Sequence, residues 1–78
     1  MKVSPMKYHS PGWKLETAYA EFLVWGPNEK RPDWQACWQN LAGDVGAFER
    51  GESIERAMER AGFPTDVQDA FYGREQAR

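Results

Sequence analysis

WQACWQNLAGDVGAF, residues 34–48, is the stretch on which the fold turns. Trp34, Trp38, Leu41, Val45 and Phe48 recur in it at spacings of four, three, four and three. That is the period of one helix face, and it predicts an amphipathic helix whose apolar side needs a cover. Pro32 at a first helical position and Asp33 in a first turn fit its start. Gly43 and Gly46 fall inside it, each costing about 1 kcal/mol relative to alanine. They imply either close approach of a neighbouring helix or a break at Gly43 with a restart at Asp44.

Working outward, GPNEKRPD at residues 26–33 is a polar turn. Before it, Leu15, Ala18, Tyr19, Phe22 and Leu23 make a helical stripe over residues 13–25, and Gly26-Pro27 is a stop. After the ladder, Gly51 is a second stop. Ser53 or Glu52 opens a helix with Ile54, Ala57, Met58 and Ala61 on one face, closed by Gly62. Phe63-Pro64-Thr65 is a corner, and Thr65 or Asp66 caps a last helix bearing Val67, Ala70 and Phe71 and ending near Gly73. Residues 1–12 hold two prolines and a glycine among scattered apolar residues, which suits an extended basic arm. The fold read from this pattern is all-α. It is a small single-domain bundle of three to four helices over residues 13–78, preceded by the arm. Trp34, Trp38, Leu41, Val45, Phe48, Ile54, Met58, Phe63, Val67 and Phe71 form its expected core.

Size sharpens the reading. The chain has 78 residues, one cysteine and one histidine. A domain this small buries only about 60% of its unfolded surface. It has no disulfide or zinc shell of its own to compensate, because Cys37 and His9 are single. Aromatic residues are the expected compensation, at 14% of the chain and with four tryptophans. The formal net charge is −2, but residues 1–14 carry three lysines and no acid, and the remainder holds all twelve acids. An acidic body is a poor general ligand for nucleic acid, which selects clustered Lys and Arg. The longest apolar run, residues 22–25, is too short to span a bilayer, and the N-terminus has no signal-peptide core. With an unpaired cysteine, the chain reads as cytoplasmic, and its initial Met as the start of a whole gene product.

No catalytic constellation is present. His9 lies in the Pro-containing arm, the glycines match neither phosphate-binding pattern, and the acids at 52, 55, 59, 66 and 69 suit a solvated helix surface. The expectation is therefore a non-enzyme without metal, cofactor or small-molecule substrate.

Residues 53–72 read as helix, corner, helix, which raises a helix-turn-helix DNA reader as the alternative. Met58 is not the small residue such a motif needs, however, and the second helix opens with Asp66 and Asp69, acids that phosphates repel. Nucleic acid thus ranks behind protein as a partner. Trp and Tyr are enriched at binding hot spots, with Arg. Eleven aromatic residues exceed what so small a helical core encloses. Trp13 and Trp25, at the two ends of the first expected helix, are the expected aromatic anchors. Tyr8 extends them along the arm, Arg31 and Arg74 are charged contacts, and Tyr72 lies beside the latter. The function expected is a protein-interaction module that binds another protein or a second copy of itself. Such a chain fits a small bacterial or phage-encoded inhibitor or adaptor, for instance one that occupies a nucleic-acid-handling machine of host defence.

Overall fold

Residues 34–48 are a β-hairpin, not a helix. The computed structural model describes residues 2–7 and 11–76, the last three of these as backbone only. Its elements are β1 (Lys2–Pro5), β2 (Gly12–Glu16), β3 (Ala20–Trp25), β4 (Trp34–Asn40), β5 (Val45–Gly51), α1 (Ile54–Arg60) and α2 (Thr65–Gln76). The five strands form one antiparallel sheet in the order β1-β2-β3-β4-β5. Helices confined to one face of an antiparallel sheet make this an α+β arrangement dominated by strands, and the all-α bundle is overturned.

The ladder misled because a turn and a bulge reproduce its spacing. Trp34 and Trp38 point to the same side of β4, as residues an even number apart must. Leu41 belongs to the turn, where the Asn40 side-chain oxygen accepts from the amides of Ala42 and Asp44, both at 3.0 Å. Gly43 adopts φ +91°, open to glycine but strained for other residues, which breaks any helix there. The register then shifts: Gln39 faces Val45 while Trp38 faces Ala47, leaving Gly46 as the extra residue of a bulge. The bulge restores Val45 and Phe48, three residues apart, to one face of β5. A Cβ on Gly46 would overlap the Trp38 indole, so only glycine fits that close approach.

The segment read as a first helix is also a hairpin. β2 and β3 pair with Trp13 opposite Val24 and Leu15 opposite Phe22. The Thr17 hydroxyl accepts from the Ala20 amide at 3.1 Å and fixes the turn, leaving Tyr19 exposed. Residues 2–5, within the stretch read as an arm, pair with β2 as an edge strand. Residue 13, where the helical domain was expected to begin, lies inside β2.

The two later helices form where the sequence places them. Ser53 is the N-cap of α1, its hydroxyl accepting from the Arg56 amide at 3.2 Å. Gly62 at φ +75° ends the helix, with the Phe63 amide donating to the Met58 carbonyl at 3.1 Å and the Gly62 amide to that of Glu59 at 3.0 Å. Those two bonds are the Schellman closure that a left-handed C′ residue makes available. α2 runs on past Gly73 to Gln76.

The core lies between the inner face of the sheet and these helices. Trp13, Leu15, Ala20, Phe22, Val24 and Ala36 meet Ile54, Ala57, Met58, Ala61, Phe63, Val67 and Phe71 there. α1 rests on β4 and β5, and α2 reaches β1 and β2. Phe63 meets the Phe22 ring edge-on at 5.1 Å and Phe71 at 6.0 Å, geometries the ring quadrupoles favour. Of the expected core, the structure buries Ile54, Met58, Phe63, Val67 and Phe71. Trp34 and Trp38 are half-buried against it, and Leu41, Val45 and Phe48 are exposed. No helix among the described residues is long and apolar enough to cross a membrane.

Candidate interaction surface

Each strand buries one face against the helices and presents the other outward, because side chains alternate along a strand. Registers place three rows on the outer face. Leu23, Cys37 and Phe48 are cross-strand neighbours in its middle, with Lys14 beside Leu23. Trp25, Gln35 and Arg50 form the row at one end. Glu16, Glu21, Gln39 and Val45 form the row at the other. On this face Leu23, Trp25 and Cys37 are partly buried, Gln35 is buried, and Phe48 is 47% exposed.

The middle and the Trp25 end of this face are joined by an aromatic contact. The Trp25 and Phe48 rings lie 5.8 Å apart, tilted at 55°. Gln35, between Trp25 and Arg50 in its row, is buried. Charges surround the apolar residues: Glu16 and Glu21 with Lys2 at one end, Lys14 beside Leu23, and Arg50 at the other end. Glu16 and Glu21 are directly opposite each other, and Lys14 reaches Glu16 at 3.1 Å. Arg50, at the far end, forms no ion pair with any described residue. Cys37 is in the apolar centre. Burial first, and the nearby Glu21 carboxylate second, push its thiol pKa above the ordinary value, which favours the protonated thiol.

The helix side is different in character. A shallow depression on it is lined by Glu55, Met58, Glu59, Gln68, Asp69 and Tyr72. Nearby, Glu52 pairs with Arg56 at 3.3 Å and Arg60 at 3.8 Å. A bond to its own backbone, then the charges of Arg60 and Arg56, hold the Glu52 carboxyl below the usual range.

The residues expected to touch a partner are not brought together. Trp13, expected as a surface anchor, is buried in the core, where its ring stacks on Trp34 at 6.4 Å. Trp25 is partly buried on the outer face. Arg31 is exposed in the loop beyond Trp25, where its amide donates to the Asn28 side-chain oxygen at 3.0 Å. Tyr72 is exposed on α2, in the layer on the opposite side of the sheet. Tyr8 and the side chain of Arg74 lie outside the described residues. Leu23, Cys37, Phe48 and Arg50 were missed as surface residues. The signal was the alternation of AEFLVW at residues 20–25, whose period of two puts Leu23 and Trp25 on one face and Phe22 and Val24 on the other.

Comparison with protein-family models, with curated proteins and with solved structures finds no match to this chain.

Proposed function

We propose that this protein is a non-enzymatic interaction module that binds another protein through the outer face of its sheet. One observation carries the reading: Phe48, 47% exposed, stands beside Leu23, Cys37 and Trp25 in an apolar patch of the outer face, with charged residues around it. Ring contact between Trp25 and Phe48 adds modestly to sheet stability, and it also leaves Phe48 at the surface beside other apolar side chains. An apolar centre within a polar rim is how protein interfaces are built. The unpaired thiol suits a reducing compartment, and a cytoplasmic setting is part of this reading. A small chain that works by covering a surface suits an inhibitor or adaptor. Duplex binding by residues 53–72 gains no support, since Glu55, Glu59 and Asp69 line one depression there.

Affinity capture with the wild type and a Trp25→Ser variant tests the proposal. The wild type should retain a stoichiometric partner, and the variant should lose it by a weakening of about 2 kcal/mol or more, roughly 30-fold. A wild type that sediments as a monomer and retains nothing would overturn the reading. So would a variant that holds the same partner equally well.

A further inference from the structure

We propose that an extended acidic segment of a partner protein adds to the edge of β5 as a further strand. In that position it places an apolar side chain against Phe48 and, two residues along, a carboxylate against Arg50. The inference rests on the interaction reading above and names the geometry and chemistry of the contact.

An open sheet has two edges, each a row of backbone groups able to pair with another strand, and proteins normally blunt them. The β1 edge is blunted: it spans four residues, begins at Lys2, ends at Pro5 and is followed by Lys7. Proline removes a donor, and lysine resists a second strand. The β5 edge spans seven residues, VGAFERG, with neither proline nor lysine. Its bulge is confined to the start, at Gly46, so residues 47–51 keep regular register with β4. At the far end Arg60 Nη1 donates to the Arg50 carbonyl at 2.8 Å, which marks where an added strand would stop.

Side chains on this edge select the strand. Phe48 and Arg50 are two residues apart and share the outer face, so a neighbouring strand presents residues two apart to both. A shallow depression lined by Phe48, Glu49, Arg50 and Arg60 opens there. Glu49 faces the helix side, where Arg60 and Arg56 already share Glu52. On the outer face Arg50 has no carboxylate among the described residues. A second copy of β5 does not supply one. Directly opposed residues of an antiparallel pair share a face, and the only acid of β5, Glu49, is on the other face from Arg50. Self-pairing centred on Phe48 sets Arg50 against Gly46, and centred on Glu49 it sets two glutamates against each other. The complement of this edge is thus a segment with an apolar residue and an acid spaced by two.

Selection from a displayed library of random segments of about ten residues, against the full chain, supplies the probe. Enriched segments should carry an apolar and an acidic residue two apart. The synthesised winner should slow exchange of the Phe48 amide, which points away from β4 toward the free edge. Arg50→Glu should weaken it by about tenfold or more and shift the enriched residue from acid to Lys or Arg. An unchanged affinity in Arg50→Glu would overturn the proposal, as would enrichment without the spacing or no enrichment at all. A free protein that sediments as a dimer with the Phe48 amide already protected would assign the edge to a second copy and overturn it too. Winners that perturb only Leu23 and Trp25 would overturn the edge contact while leaving the outer-face reading standing. Loss of partner capture in Trp25→Ser bears on that reading alone.

Discussion

Trp38 ties three parts of the molecule together. Its ring packs 6.2 Å from Phe22 in the core, lies over Gly46 in the bulge, and donates its indole N–H to the Ala61 carbonyl at 3.0 Å. Ala61 is the C-cap of α1, so one side chain clamps the helix end to β4 and fills the gap that the bulge opens. Phenylalanine at this position keeps part of the packing and loses the donor, leaving a carbonyl in a buried residue without its partner. Trp38→Phe should therefore cost about 1–3 kcal/mol. Gly46→Ala should cost a similar amount in the wild type, because the added methyl drives the six-membered ring of the indole out of place. In the Trp38→Phe background that ring is gone, so Gly46→Ala should cost distinctly less. Urea unfolding of the two single variants and the double variant measures the coupling. Strictly additive costs would show that the indole does not lie over Gly46.

At the scale of elements, α1 is a seven-residue helix that holds its shape through its ends. So short a helix is unstable alone. Ser53 satisfies a free amide at its start, Glu55 and Arg60 complement its dipole, and the Gly62 closure satisfies carbonyls at its end. Ser53→Ala should cost about 1 kcal/mol in urea unfolding, and Ser53→Asp, which keeps an acceptor, should restore most of it. Equal losses in both variants would remove capping as the reason. These end signals are also why the helical part of the chain was legible in its sequence: a cap, an apolar stripe and a left-handed glycine act over contiguous residues. Strands carry no such local closure. Their pairing partners are distant, and only alternation marks them. In β4 that alternation is real, with Trp34, Ala36 and Trp38 inward and Gln35, Cys37 and Gln39 outward. It was masked because Ala36 is small and the two tryptophans alone fit a helical step of four. The bulge at Gly46 then put Val45 and Phe48 three apart on one face, which continued the false helix through the turn. The candidate surface was lost with it, since a residue assigned to a helical core is not looked for on the outside of a sheet.

For the whole molecule, the consequence is two faces of different standing. One is closed by two helices around Phe71, Leu15, Met58 and Val24, all fully buried. The other is apolar at its centre but open. A domain of this size has a stability of only a few kcal/mol, so it cannot lose much from the closed side. Phe71→Ala removes a ring that touches Phe63 and should cost about 3–5 kcal/mol, enough to leave the chain unfolded. Trp25→Ser removes a larger ring, yet one only partly buried and outside the core, and should cost about 1–2 kcal/mol, leaving a folded protein with a cooperative transition. The comparison is made by circular dichroism through thermal and urea unfolding. Size alone would rank the tryptophan above the phenylalanine, so the reverse order identifies the layer in which each ring lies. If Trp25→Ser proved as damaging as Phe71→Ala, the outer face would be part of a closed core in solution, and it would not be free to receive a partner.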